Sequence, residues 1–260
     1  MGNLRHTAIV LAAGKGTRMG TQTAKQYLLL RGKPVLYYSL KAFQDSFVDD
    51  IILVAGKDEL TYCREEIVEK YGLSKVRAVV PGGKERYHSV YAGLEAVQAQ
   101  MRSNLTEGKS GVESGAAGLK SAVKTAVYIH DGARPFITQE ILHNLRESVE
   151  QYGSAVAAMP VKDTIKIADA DGFVTATPDR TRTWQVQTPQ CFVFDWIYPA
   201  YAQLIADEEK LKEQDVHITD DAMAAELFSK RRVHLVEADY RNIKITTPED
   251  LMVAERFLNE

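Results

Sequence analysis

The chain contains 260 residues, 45% of them hydrophobic and 26% charged, with a formal net charge of −3. Such a length and composition can bury one sizeable α/β core, so a single domain spanning 1–260 is expected. The slightly negative balance excludes a protein that works by coating nucleic acid, because counterion release needs a broad basic face.

The first apolar run, 8–13, is too short for a signal-peptide core or a membrane span and meets Gly14 and Lys15 at once. A cytoplasmic chain without membrane association is expected. Met1-Gly2 suggests myristoylation, but His6 stands where that signal needs Ser or Thr. Short β-branched runs at 7–11, 51–55, 76–80, 126–130 and 155–159 predict strands buried on both faces. Between them, 35–43, 60–71, 89–99 and 141–152 repeat apolar residues at helical spacing. The alternation predicts a mostly parallel sheet covered by helices.

The stretch 101–124 is rich in Gly, Ser and Ala, lacks aromatics and shows no apolar period, which predicts a flexible loop. Because it joins a helix to the start of a strand, it belongs opposite the strand C-termini, where ligands of open α/β sheets bind. Further on, two alternating runs at 164–168 and 173–177 flank Asp169-Ala170-Asp171-Gly172 and predict a β-hairpin arm over about 160–184. The chain returns through 192–194, helices near 196–206 and 222–228, and a strand at 233–237. A last helix is capped by Thr247 and opened by Pro248. Cys63 and Cys191 lack metal-ligand spacing and read as packing residues.

Four groups of residues carry candidate chemistry. The first, Leu11-Ala12-Ala13-Gly14-Lys15-Gly16-Thr17-Arg18-Met19, follows the first strand, with Lys25 beyond it. Small residues let backbone N–H groups approach phosphate oxygens, and Arg18 and Lys25 add the positive charge a triphosphate requires. It is not the dinucleotide fingerprint, whose third glycine would fall at Met19, nor a Walker loop. The chain's Gly108-Lys109-Ser110 has Ser103 where the leading glycine of a Walker loop belongs. Without the two cations, the glycines would read as an ordinary turn.

Pro81-Gly82-Gly83-Lys84-Glu85-Arg86 closes the third strand and opens a helix containing Ser89. Such a tight backbone can present N–H and C=O groups to the edge of a base, although a lone Gly-Gly is equally a plain turn. His130-Asp131-Gly132-Ala133-Arg134-Pro135 ends the fourth strand, and a carboxylate there points into the ligand crevice. Asp131 is the candidate Mg²⁺ ligand, since Mg²⁺ often takes one or two carboxylates plus substrate phosphates. His130 faces the other way and reads as a satisfied buried histidine. Last come Pro160-Val161-Lys162-Asp163-Thr164, Asp179-Arg180 and Asn242-Ile243-Lys244-Ile245-Thr246. Arg180 and Lys244 are expected to converge on one mouth, where two cations suit a second phosphorylated substrate. Asp220 and Asp221 read as a helix-start cluster rather than an extension of the metal site.

In this order, these segments together with Lys25-Gln26-Tyr27 and Gln187-Thr188-Pro189-Gln190 resemble the 2-C-methyl-D-erythritol 4-phosphate cytidylyltransferases of the non-mevalonate isoprenoid pathway. The resemblance runs from Thr7 to Leu258 outside the loop. It implies a Rossmann-like nucleotidyltransferase fold and a homodimer in which the arms embrace the neighbouring subunit. It also implies CTP, methylerythritol phosphate and Mg²⁺ as ligands. Carried over by position, Arg18 and Lys25 stabilise the transition state, and Ala12, Ala13, Gly14 and Gly16 hold the triphosphate. Gly83, Lys84, Arg86, Ser89 and Gly132 serve the nucleotide, and Asp131 the metal. Thr164, Arg134, Arg180 and Lys244 orient the sugar phosphate, with the arm residues serving the partner's site. Lys84 departs from the Asp found in many relatives, which puts any side-chain reading of the base there in doubt. Two rivals stay open on sequence: a ribitol 5-phosphate cytidylyltransferase, and a nucleotide-binding module without chemistry.

Overall fold

The computed structural model describes residues 4–14, 24–107 and 124–259, with side chains except at 104–107. The elements follow in chain order. β1 is Arg5–Ala12, and a 3₁₀ turn Lys25–Tyr27 precedes the small hairpin of β2 Leu29–Leu30 and β3 Lys33–Pro34. Then come α1 Val35–Gln44, β4 Asp50–Ala55, and α2 Leu60–Tyr62, which continues in π-helical form as Cys63–Glu69. β5 Val76–Pro81, α3 Arg86–Glu107, β6 Thr125–Asp131, α4 Gln139–Tyr152 and β7 Ser154–Pro160 complete the first half. The arm holds β8 Ile167–Ala168 and β9 Val174–Ala176. β10 Trp184–Val193, α5 Phe194–Ala206, α6 Glu208–Glu213, α7 Asp221–Ser229, β11 Leu235–Glu237 and α8 Pro248–Phe257 close the chain.

Seven strands form one sheet in the order β11-β7-β10-β6-β1-β4-β5. All neighbours are parallel except at β10, which runs antiparallel to both β6 and β7. The expected mostly parallel sheet is therefore present. Its two faces explain why the strands read as unbroken apolar runs. Ala8 and Val10 of β1 pack with Leu36, Leu40 and Phe43 of α1 and Leu142 and Leu145 of α4, whereas Ile9 packs with Val90 and Leu94 of α3 and Ile197 of α5. Successive side chains thus enter opposite layers, and every residue of β4 is buried.

Sequence expectations and structure part at several points. β5 is only half-buried, because it lies at the sheet edge and has a neighbour on one side alone. α3 continues through Glu107, so helix replaces the beginning of the loop expected from Met101, and 108–123 lie outside the described residues. Lys124 meets Arg5 at the N-terminal end of β6, the end opposite Asp131, as expected for the loop's exit. The return strand begins at Trp184 rather than at 192, since Gln185, Gln187 and Pro189 interrupt the apolar signal that marks a strand. α6 offers the core only Leu211 and left no periodic trace in the sequence. Among the described residues, no helix is long and apolar enough to cross a membrane.

Candidate active site

The C-terminal ends of β1, β5 and β6 open into one pocket of about 190 Å³. One wall is the end of β1 and the turn after it, contributing Leu11, Ala12, Ala13 and Gly14. It is pinned by Gln26, whose Nε2 donates to the carbonyls of Ala12 at 2.6 Å and Gly14 at 3.1 Å. Tyr27 donates its hydroxyl to Glu59 Oε2 at 2.9 Å. The 3₁₀ turn is therefore anchored at Gln26 and Tyr27, and Lys25 beside them lines the pocket.

The opposite wall is Gly83, Lys84, Glu85, Arg86 and Ser89. The two walls touch at Gly82, where a Cβ would fall 2.4 Å from the Ala13 Cβ and 2.7 Å from Ser89 Oγ. Only glycine permits that approach. Ser89 Oγ accepts the Gly83 N–H at 3.2 Å, so this hydroxyl shapes the turn.

Asp131 stands between the walls at the end of β6. Its N–H donates to Thr188 Oγ1 at 3.1 Å, Lys244 Nζ lies 2.7 Å from Oδ2, and Arg86 Nε lies 3.4 Å from Oδ1. Burial pushes the Asp131 carboxyl up, but Arg86 and Lys244 outweigh it and hold the group well below the usual carboxylate range. Arg86 is itself gripped by Asp221, which accepts from Nη1 at 2.8 Å and Nη2 at 2.7 Å, and from the Tyr201 hydroxyl. Burial opposes the guanidinium charge, but Asp221 and Asp131 keep Arg86 protonated. Asp220 caps α7 by accepting the Met223 N–H at 2.9 Å, the helix-start role expected of it.

Lys244 reaches Asp131 through backbone rather than helix. The Ile245 N–H donates to the Ala133 carbonyl at 2.8 Å, and Ile245 is buried against Leu30, Val35 and Ala254. The buried Asn242 donates through Nδ2 to Gln187 Oε1 and the Thr188 carbonyl, both at 2.9 Å. Gln187 and Thr188 can serve both partners because the β10 register shifts against β7 between Val186 and Gln190. The Thr188–Pro189 bond is cis.

The pocket thus gathers Ala12, Ala13, Gly14, Lys25, Gly83, Lys84, Arg86, Ser89, Asp131 and Lys244. Gly132 and Arg134 depart from expectation by standing behind its wall. The Gly132 N–H donates to the Leu11 carbonyl at 2.8 Å, and its own carbonyl accepts from Ser39 Oγ at 3.2 Å. Arg134 Nη1 donates to the Asn242 carbonyl at 2.7 Å, while Nε is buried 4.0 Å from Asp131 Oδ2. Thr164 and Arg180 lie exposed on the arm, and neither lines the pocket that Lys244 enters. Arg180 Nη1 donates to the Lys162 carbonyl at 3.4 Å. Arg18 and Gly16 fall outside the described residues. His130 is satisfied as expected, by Thr188 Oγ1 and the Arg134 carbonyl at 3.1 Å each. Gln26, Thr188 and Asn242 were given no role from sequence, and Asp221, read there as part of a helix-start cluster, instead holds Arg86. Each acts through a long-range contact with another side chain or carbonyl, which leaves no local pattern.

Two carboxylates line the pocket, Glu85 on the wall and the ionised Asp131 between the walls, and Asp131 is the hard oxygen donor at the strand end. Among the described residues, no group of three His, Cys, Asp or Glu could hold a metal by itself. That donor set fits Mg²⁺ if substrate phosphates and water complete its shell.

The family profile of IspD, 2-C-methyl-D-erythritol 4-phosphate cytidylyltransferase, matches residues 6–107 and 104–260. The chain is 43% identical over 254 residues to the 2-C-methyl-D-erythritol 4-phosphate cytidylyltransferase of Lachnoclostridium phytofermentans, covering 98% of this chain and 96% of that protein. The enzyme of that name from Lachnospira eligens is 46% identical over 256 residues, covering 97% and 99%. Among solved structures, the 4-diphosphocytidyl-2C-methyl-D-erythritol synthase of Anaerococcus prevotii superposes with a TM-score of 0.76 at 30% identity, covering 99% of this chain and 97% of that one.

Proposed function

The chain belongs to the 2-C-methyl-D-erythritol 4-phosphate cytidylyltransferase family, and on that premise we propose how its own residues carry out the family's reaction. It is a nucleotidyltransferase that passes the cytidylyl group of CTP to 2-C-methyl-D-erythritol 4-phosphate in isoprenoid biosynthesis. The observation that carries the residue assignment is the convergence of Lys25, Lys84, Arg86 and Lys244 with the carboxylate of Asp131 in one pocket.

A phosphate oxygen of methylerythritol phosphate attacks the α-phosphorus of CTP in line. The α–β bridging bond breaks, pyrophosphate leaves from the opposite face, and no enzyme side chain becomes bonded. A phosphate monoester is nearly doubly charged at neutral pH and is already a competent nucleophile, but the triphosphate repels it. The residues therefore have to bring two anions together and spread the charge that builds at the α-phosphorus. We assign Lys25 that role at the transition state, together with Arg18. We assign the triphosphate to the backbone of Ala12 to Gly14 and to Gly16, and cytosine to the turn through Gly83 and Lys84, shaped by Ser89. Lys244, with Arg134 behind it and Thr164 and Arg180 from a neighbouring arm, orients the sugar phosphate. Arg86, tied to Asp221, fixes Asp131, and Gly132 supports the wall.

Asp131 would hold Mg²⁺, which, when bound, neutralises phosphate charge and polarises the α-phosphoryl group. A homodimer joined through the arms is supported by the exposure of Ile167 at 51%, Phe173 at 73% and Val174 at 58%, since such apolar surface ordinarily meets a partner. A reducing, cytoplasmic location accords with two buried free cysteines. The test is pyrophosphate release from CTP, Mg²⁺ and methylerythritol phosphate by the purified chain. Release that requires all three supports the assignment, and release without Mg²⁺ removes the metal from it.

A further inference from the structure

The turn that closes β5 is braced by a side chain outside the motifs. α3 begins at Arg86, so Glu85 immediately precedes the helix and His88 lies in its first turn. The Glu85 N–H donates to His88 Nδ1 at 3.2 Å. Because that nitrogen accepts, a neutral imidazole carries its proton on Nε2, which lies 3.1 Å from Glu208 Oε2. Glu208 opens α6, and its other oxygen accepts from the Tyr87 hydroxyl at 2.9 Å and pairs with Lys212 Nζ at 2.8 Å. Hydrogen bonds from Lys212 and Tyr87 hold its carboxyl down to about 2, so the brace ends on a carboxylate.

Gly83 packs against the stem of the same ring, where a Cβ on Gly83 would fall 2.3 Å from the His88 Cβ. The backbone from Gly83 to Glu85 is thus gripped at both ends, by Ser89 at the Gly83 N–H and by His88 at the Glu85 N–H. At helix starts, the residue three beyond the cap that accepts the cap's N–H is usually Glu or Gln. An imidazole performs that task and leaves a second nitrogen free to reach another element, here α6. Gly83, Lys84 and Glu85 line the pocket, whereas His88 does not.

We propose that His88, held by Glu208, is a positioning residue for nucleotide recognition, fixing the backbone from Gly83 to Glu85 against the base without touching the reacting phosphates. It deepens the assignment above, in which this turn meets cytosine, and rests on it. The class of ligand is a pyrimidine nucleotide, and the quantity His88 controls is its affinity.

Steady-state kinetics of the full chain with Mg²⁺, CTP and methylerythritol phosphate test it. His88→Ala should raise KM for CTP on the order of fivefold, the worth of one hydrogen bond, with kcat and KM for methylerythritol phosphate little changed. His88→Gln, whose amide oxygen can still accept the Glu85 N–H, should recover most of that loss. Glu208→Ala should give part of it, and carries the same prediction if His88→Ala fails to fold. An unchanged KM for CTP, or an equal rise for both substrates, overturns the proposal. Gly83→Val separates the two levels of the argument. If it raises KM for CTP while His88→Ala does not, the turn binds nucleotide and only the role of His88 fails. If neither variant moves it, the cytosine assignment of the turn fails as well.

Discussion

Lys244 and Asp131 meet at 2.7 Å across the mouth of the sheet, one from the segment before α8 and the other from the end of β6. The ammonium both neutralises the carboxylate and presents charge to the pocket, so its removal should be felt by the incoming phosphate. Lys244→Ala should raise KM for methylerythritol phosphate on the order of tenfold, as expected for a hydrogen bond to a charged group, with a smaller effect on CTP. Initial-rate measurements varying each substrate in turn check this, and a rise confined to CTP would reassign Lys244 to the nucleotide.

Lys25 is held by its neighbours rather than by a helix, since Gln26 grips the glycine turn and Tyr27 reaches Glu59. Lys25→Ala should therefore fold normally. Its kcat should drop on the order of 10²–10³, the effect of losing one group aimed at transition-state charge. Near wild-type turnover would remove Lys25 from the chemistry.

Arg180 lies exposed on the arm, outside the pocket of its own chain. Arg180→Ala should raise KM for the sugar phosphate more than for CTP. If each arm completes the partner's site, mixing Arg180→Ala with Lys25→Ala chains, at methylerythritol phosphate well below the KM of Arg180→Ala, should restore about a quarter of wild-type activity, because half of the dimers are mixed and each carries one intact site. No recovery after subunit exchange would place the arm's contribution within its own chain.

His130 is completely buried, and burial holds its pKa down to about 4 from the ordinary 6.5. Above 6.5 the imidazole is neutral in folded and unfolded chains alike. Between 6.5 and about 4 only the unfolded chain takes up the proton, so stability falls with pH, by on the order of 3 kcal/mol in full. Urea unfolding across this window should show that slope, and His130→Gln should flatten it. An identical slope in the variant would assign the pH dependence to other groups.

Asp221 has no exposed surface and accepts from Arg86 and Tyr201. Removing the nearer partner of a buried ion pair leaves Arg86 with only its longer contact to Asp131, so Asp221→Asn should destabilise the fold by about 3 kcal/mol. Chemical denaturation reads this directly. A change below about 1 kcal/mol would show that Arg86 finds water or another carboxylate, as surface ion pairs of that worth do.

The chain's order of strands and helices was legible because each layer of an α/β sandwich leaves a local trace: two-residue alternation masked into solid apolar runs, then helical spacing. The glycine turns after β1 and β5 and the aspartate ending β6 were legible too, since strand ends in such a sheet face the ligand crevice by construction. Tertiary structure alone decided what holds those residues in place. Gln26 on the carbonyls of Ala12 and Gly14, Thr188 on the Asp131 N–H, Asn242 on β10, and Asp221 on Arg86 are contacts between segments far apart in the chain. It also decided that Gly132 and Arg134 stand behind the wall, that α3 runs on through Glu107, and that β10 begins at Trp184. Periodicity records which face of an element is buried, whereas these contacts depend on where separate elements meet, which no local pattern encodes.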